Sequence, residues 1–191
     1  APLWERLGRD RRVLVIDVPF ADTPRGRLDG TILAGWQSFD LRVPLAYPAG
    51  LAPELARRFG PSLAPAERPG RQTAAGLLRL RGELLAATAQ LGEIAAWLLR
   101  RESWDLAVVV LGPPHHGGHY LHDPSQIDAR AVDRDTRRTL EGALDELYVA
   151  ADRALARMLE AVPGRTRVIA LALHGMRRNA GWAERGEQLA A

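Results

Sequence analysis

The sequence contains no cysteine and no lysine among its 191 residues. Without cysteine the chain has no disulfide bond, no thiolate nucleophile and no thiolate metal ligand, so any metal site must use histidine and carboxylate side chains. All 26 basic residues are arginine, and the formal net charge is only +3. Because these arginines are scattered along the chain in pairs, we do not expect nucleic-acid binding, although the isoelectric point is about 10.1.

Long hydrophobic runs are also missing. No apolar stretch approaches the ~20 residues that a membrane-spanning helix needs. The first residues, Ala1 to Arg6, do not have the layout of a signal peptide. We therefore expect a cytoplasmic protein without a membrane partner. Hydrophobic residues make up 47% of the chain and charged residues 26%, which is typical of a globular domain and not of a disordered chain.

Three apolar runs predict the strands of a sheet. They are short and rich in valine, isoleucine and leucine, which is typical of parallel strands buried on both faces. They cover residues 12–18, 106–111 and 166–172. Because helical patterns separate these runs, we expect an α/β/α sandwich with a mostly parallel sheet, built as a single domain over residues 1–191.

Leucine and alanine recur at spacings of three and four residues and predict two long helices, at residues 72–101 and 135–161. Gly82 and Gly92 weaken the first of them by about 1 kcal/mol each relative to alanine, so a bend or break is expected there. Shorter helices are predicted at residues 2–7, 51–59 and 181–191. The remaining stretch, residues 21–70, is a loop-rich excursion that is too long for a simple connection and is typical of a lid.

Four of the five histidines follow the strand predicted at 106–111. They are His115, His116, His119 and His122. The fifth, His174, follows the strand predicted at 166–172. In an open α/β sheet, ligands and catalytic groups gather just beyond the carboxyl ends of the strands. We therefore expect the two histidine segments to line one site.

Neutral imidazole is a common metal ligand, so two histidines of one loop and a third from the next strand end could hold a zinc ion. We expect a loop because the prolines and glycines within 113–118 disfavour a helix. Asp17, Asp22 or Asp123 could add an oxygen ligand or orient a histidine. His116 or His122 could add a further nitrogen ligand or support the ligands from behind.

Each of these residue types also has a purely structural interpretation. A histidine-rich loop is equally typical of a solvated turn or of a loop whose histidines form structural hydrogen bonds. Asp17, at a strand end, is also typical of a residue that caps the following turn. Tyr120 and Arg177 could contact a phosphoryl anion, but packing and simple exposure explain them as well.

The sequence resembles a known family through a series of motifs in order. They are Arg-Val-Leu-Val-Ile-Asp-Val-Pro, Leu-Asp-Gly-Thr-Ile-Leu-Ala-Gly-Trp, Pro-Pro-His-His-Gly-Gly-His-Tyr-Leu-His-Asp, Leu-Tyr-Val-Ala-Ala-Asp-Arg-Ala-Leu-Ala-Arg-Met-Leu and Leu-His-Gly-Met-Arg-Arg-Asn. The family is the type I phosphodiesterase/nucleotide pyrophosphatase family, within the alkaline phosphatase superfamily. The resemblance runs from about Trp4 to Met176.

The resemblance implies an alkaline phosphatase-like α/β/α sandwich that cleaves phosphate esters with two divalent metals, usually zinc. A serine or threonine of the family attacks phosphorus. The resemblance places His119 on the histidine of the family's Asp-x-x-x-His motif, with His115 at the aspartate. It places His174 on the histidine of Ser-Asp-His-Gly-Met, with Ala172 and Leu173 in place of the serine and aspartate. The implied metal ligands are thus His115, His119 and His174.

The departures from the family pattern limit what the chain does alone. Leu173 cannot bind a metal, and the family segments that carry the nucleophile and a further histidine have no counterpart here. We therefore expect a family domain truncated at both ends. The predicted function is a phosphoric-ester hydrolase of this type acting on a small phosphoester, incomplete or degenerate here, with the isolated chain inactive. The alternative is a non-catalytic relative that acts as a binding or scaffolding protein. We also expect a partner chain or a homo-oligomer.

Overall fold

A computed structural model describes residues 1–37, 44–66, 72–122 and 132–172, together with Gly175. Its strands form one four-stranded sheet of order β3-β2-β1-β4. They are β1 (Val13–Ile16), β2 (Gly30–Ala34), β3 (Leu45–Tyr47) and β4 (Leu106–Val109). β1 pairs in parallel with β2 and with β4, whereas β3 is antiparallel to β2. The predicted α/β class with a mostly parallel sheet is therefore confirmed.

Six helices accompany the sheet in the described part of the chain. They are α1 (Leu3–Leu7), α2 (Leu51–Phe59), α3 (Ala74–Arg101), α4 (Pro113–Leu121), α5 (Arg134–Glu141) and α6 (Ala143–Glu160). The prediction at 72–101 is confirmed, and α3 continues through both of its inner glycines. The single helix predicted at 135–161 is wrong, since Gly142 separates α5 from α6. The helix predicted at 181–191 lies outside the described residues. No described helix is both long enough and apolar enough to cross a bilayer.

The excursion predicted at 21–70 contributes two strands to the sheet, β2 and β3. β2 pairs with β1 along its whole length, from Val13 opposite Gly30 to Ile16 opposite Leu33. A glycine starts β2 because a Cβ at Gly30 would lie 2.1 Å from the carbonyl oxygen of Val13. The two strands are five and three residues long, and they lie in a stretch rich in proline, glycine and aspartate that no continuous apolar run marks as strand.

The strand predicted at 166–172 is not part of the sheet, and that prediction is wrong for this structure. These residues are irregular and exposed. Val168, Ile169 and Leu171 keep 52%, 75% and 80% of their surface accessible. In the described part of the chain the sheet therefore ends at β4.

Both faces of the sheet are covered. One face packs against α2, α3 and α6, through a buried cluster that contains Leu14, Ile16 and Leu33. The opposite face packs Val15 and Ile32 against a thinner layer built from α1 and the loop around residues 18–28. A third buried cluster joins α3, α4, α5 and α6 to one another. This helical cluster fixes where α4, with its histidines, lies.

Candidate functional site

The histidine segment forms the helix α4, so the prediction of a non-helical loop there was wrong. Pro113 and Pro114 occupy the first turn, where the backbone N–H has no partner within the helix and proline costs little. The amides of His115 and His116 both donate to the carbonyl of Gly112, which starts the helix.

Gly117 allows α4 to pack closely against α6. A Cβ at Gly117 would lie 2.3 Å from Cδ1 of Leu147 on α6. Glycine therefore lets α4 approach α6 closely enough to bury its inner face. The contact with α6, which lies 30 residues further along the chain, offsets the low helix propensity of glycine.

His115 and His119 lie one turn apart on the outer face of α4. Their Nε2 atoms are 3.1 Å apart. The two rings meet edge to face, with centroids 4.6 Å apart and an angle of 86° between their planes. His115 is exposed and His119 is half-buried. The helix thus brings two imidazole nitrogens together at a surface that solvent reaches.

The two nitrogens suit adjacent positions around one zinc ion. A zinc–nitrogen bond is about 2.0–2.1 Å long, so two tetrahedral ligands lie roughly 3.3 Å apart. Among the described residues there is no group of three or more His, Asp or Glu side chains that could surround a metal. The described part of the chain therefore brings together two side chains that could serve as ligands. The predicted ligand His174 and the predicted oxygen donor Asp123 lie outside the described residues.

His116 and Tyr120 occupy the inner face of α4. Only 2% of His116 and 5% of Tyr120 is exposed, and their ring centroids are 5.4 Å apart. Tyr120 belongs to the helical cluster and not to the face that carries His115. His122 is exposed at the end of α4. Arg177, the other predicted anion contact, lies outside the described residues.

The carboxylate of Asp17 links the carboxyl end of β1 to the segment that follows β2. The side chain is fully buried, Oδ1 accepts from the amide of Trp36 at 2.7 Å, and Oδ2 accepts from the amide of Gln37 at 3.0 Å. Its φ of 56° lies in the left-handed region, which aspartate tolerates better than most residues. Both carboxylate oxygens are engaged with the backbone after β2. Asp22, by contrast, is exposed and accepts from the amide of Thr23.

Two glutamines that the sequence analysis missed extend this arrangement. Trp36 Nε1 and Gln37 Nε2 donate to Oε1 of Gln90 at 3.1 and 3.0 Å. Nε2 of Gln90 donates in turn to the carbonyls of Phe59 and Pro61 at 3.0 and 2.8 Å. This partly buried network links the segment after β2 to α2 and α3. Its partners are 29 to 54 residues apart, so no local pattern could have revealed it.

The start of α4 adjoins this network. A Cβ at Gly112 would lie 3.8 Å from the backbone oxygen of Gln37. Asp17, Gln37 and Gly112 therefore lie near one another at the carboxyl edge of β1, β2 and β4. The histidine pair begins three residues beyond this edge.

A cavity of about 410 Å³ lies at the opposite edge of the sheet, lined in part by Asp29, Glu54, Arg101 and Trp104. Its charged lining residues are paired, Glu54 with Arg101, and both Asp29 and Glu102 with Arg12. Arg101 contacts Glu54 at 2.9 Å, and Arg12 contacts Asp29 at 3.2 Å. The hydrogen bond and charge of Asp29 raise the pKa of Arg12. These pairs account for the charges around the cavity without a ligand.

The histidine pair of α4 is therefore the arrangement best suited to chemistry in the described chain. Comparisons with models of known protein families, with curated proteins and with solved structures found no match to this chain. The resemblance to the type I phosphodiesterases stays a prediction, and the function has to be argued from the residues themselves.

Proposed function

We propose that this chain is part of a metal-dependent phosphoester hydrolase of the type I phosphodiesterase/nucleotide pyrophosphatase kind, in which His115 and His119 hold a divalent zinc. The observation that carries the proposal is the 3.1 Å separation of the two Nε2 atoms on the outer face of α4. A helical i, i+4 histidine pair is a common way to present two nitrogen ligands to one zinc ion.

The position of the pair supports the proposal. α4 begins four residues beyond the last residue of β4, and β4 lies parallel to β1. The carboxyl edge of a parallel sheet is where α/β enzymes bind their substrates. Phosphoesters carry negative charge, and a divalent cation at this edge would attract them.

Under this proposal the residues of the chain have the following roles. His115 and His119 hold the ion through neutral nitrogens, so protons compete with the metal for them. Under the same proposal His174 adds a third ligand. When bound, zinc supplies Lewis-acid polarisation of a phosphoryl oxygen. Asp17 keeps the strand ends in place, and we assign the nucleophile to no residue of this chain.

Metal binding by matched histidine variants tests the proposal. Co²⁺ titration followed by absorbance, with Zn²⁺ competition, gives the affinity of the chain and of its variants. We expect His119→Ala to weaken binding by more than about tenfold, because it removes one of two converging ligands. His122→Ala is the matched control, since His122 is exposed on the same segment, and we expect it to change little. Equal losses for the two variants would contradict the assignment.

Turnover is tested separately with bis(p-nitrophenyl) phosphate, a chromogenic phosphodiester, in the presence of Zn²⁺. Hydrolysis by the unsubstituted chain that decreases in both His119→Ala and His174→Ala would support the proposed hydrolase activity. A chain that neither binds metal nor hydrolyses the diester at any pH would refute the proposal.

A second function, a non-catalytic binding protein, is favoured by one specific observation. Both oxygens of Asp17 bind backbone amides, so this strand-end carboxylate is occupied as a structural acceptor. A chain that binds Zn²⁺ through His119 but leaves the diester intact would be better described as such a metal-binding relative.

A further inference from the structure

β4 is an open edge of the sheet in the part of the chain that the structure describes. On its inner side the amides of Leu106 and Val110 donate to the carbonyls of Arg12 and Ile16, next to and within β1. Backbone groups alternate in direction along a strand, so those of Ala107 and Val109 point away from β1. Strands of parallel sheets are normally covered, and an open apolar edge invites another strand.

An exposed apolar segment follows later in the same chain. Residues 166–172 read Thr-Arg-Val-Ile-Ala-Leu-Ala, and all seven are exposed. Ile169 and Leu171 keep 75% and 80% of their surface accessible. The composition is that of a buried strand and not of a surface loop. The chain thus contains an open strand edge and an unpacked segment with strand character.

The direction of α6 brings this segment to the correct end of β4. Ion pairs join Arg81 to Glu146 and, further along both helices, Glu93 to Arg157. Contacts that advance together along two helices mean that α3 and α6 run in the same direction.

Since α3 ends at Arg101 and β4 begins at Leu106, the end of α3 lies at the amino edge of β4. α6 therefore delivers the chain to that same edge. At its end, Ala161 and Val162 pack against the buried cluster that Val109 and Leu111 also contact. A strand that starts there and continues along β4 would run parallel to it.

We propose that residues 166–172 close on the open edge of β4 as a fifth, parallel strand, in a conformation that exchanges with the exposed one described above. The connection from β4 through α4, α5 and α6 is then a strand–helix–strand crossover of the ordinary kind. The occupant is this segment of the same chain. Only residues 161–165 separate it from α6, which gives it a much higher effective concentration than a second copy has.

Closure would also shape the candidate site, and this consequence alone rests on the proposed function. A parallel fifth strand would end at the carboxyl edge of β4, beside the start of α4. Residue 172 would then form a wall next to His115 and His119.

Hydrogen exchange of backbone amides, measured on the whole 191-residue chain, tests the closure. The amides of Ala107 and Val109 point away from β1, so they are protected only if another strand covers the edge. We expect protection of at least about tenfold over an unprotected amide. The amides of Leu106 and Val110 bond to the β1 side and serve as the internal control. Unprotected amides at both Ala107 and Val109 would overturn the proposal.

Proline variants identify the occupant. Adjacent strand residues alternate, so either Val168→Pro or Ile169→Pro removes a donor that faces β4. We expect at least one of them to return Ala107 and Val109 to fast exchange while Leu106 and Val110 stay protected. Ile169→Val, which keeps strand character, is the matched control. Protection that survives both proline variants would show that residues 166–172 do not cover the edge.

Disulfide trapping keeps the test decisive if the proline variants unfold. The chain has no cysteine of its own, so Ala107→Cys can be combined in turn with Val168→Cys and Ile169→Cys. We expect an intramolecular disulfide from at least one pair, and none when Ala46→Cys on β3, the opposite edge, replaces Ala107→Cys. Crosslinked dimers, or protection that falls on dilution, would show a second copy on the edge and overturn the proposal. Loss of zinc binding with intact closure would count against the proposed function only.

Discussion

Replacing Asp17 by alanine tests the central structural claim about the strand ends. The change removes both acceptors that hold the amides of Trp36 and Gln37, at 2.7 and 3.0 Å. Trp36 and Gln37 are each 2% exposed, so water cannot readily replace the carboxylate. Asp17→Ala therefore leaves two buried N–H donors without their acceptor.

The expected cost follows from these contacts. Each buried donor left unsatisfied costs about 1–3 kcal/mol. Alanine at a φ of 56° adds backbone strain of about 1 kcal/mol, since it tolerates the left-handed region less well than aspartate. We expect the free energy of unfolding to fall by roughly 3–7 kcal/mol, a large part of the 5–15 kcal/mol typical of a domain. Asp17→Asn, which keeps one acceptor oxygen, should lose about half as much.

Urea unfolding followed by far-UV circular dichroism measures these differences. Asp22→Ala is the matched control, because Asp22 is exposed and accepts from its neighbour Thr23. It should change the free energy of unfolding by no more than about 0.5 kcal/mol. If Asp17→Ala were as mild as Asp22→Ala, Asp17 would not hold the strands together, and the assignment of its carboxylate as a structural acceptor would fail.

Two further predictions concern the helices. Gly117→Ala should lower the free energy of unfolding by about 1–3 kcal/mol, because the new methyl group would meet Leu147 Cδ1 at 2.3 Å. For Gly82→Ala the new methyl group meets no described atom within 4 Å, so this change should raise the free energy of unfolding by about 0.5–1 kcal/mol. Urea titrations in which both variants changed stability in the same direction would contradict the packing argument. The amide of Thr136 lowers the pKa of Asp133, which caps α5. The stabilisation from this cap is therefore present above the unfolded pKa of about 3.9 and lost as the pH falls through the folded value. In Asp133→Asn the melting temperature should fall less between about pH 5 and pH 2 than in the unsubstituted chain. An unchanged dependence of the melting temperature on pH would refute the role of the charge.

Much of the fold could be predicted because it rests on periodic burial. The leucines of α3 recur along one side of a long helix, and such a pattern is visible without any partner. The valines and isoleucine of β1 form a continuous apolar run, because both faces of this strand are covered. The strand β4 and the helix at 51–59 were found for similar reasons.

The site was predicted only in part. The histidine cluster after β4 and the family resemblance singled out His115 and His119, whose Nε2 atoms approach each other, but a non-helical loop was expected around them. Local preference argued against a helix with glycine at 117 and 118, and the close contact of Gly117 with α6 outweighed it. Gln37 and Gln90 could not be predicted, because their hydrogen bonds join residues far apart in the sequence.

The sequence by itself determined the α/β class, the long helix α3, the central strand β1 and the presence of two histidines at helical spacing, because each depends on the side chains of one continuous segment. Only the tertiary structure decided that α4 is a helix, that Asp17 binds the backbone after β2, and that residues 166–172 lie exposed beside an open edge. Each of these depends on contacts between segments distant along the chain, where packing and buried hydrogen bonds outweigh local preference.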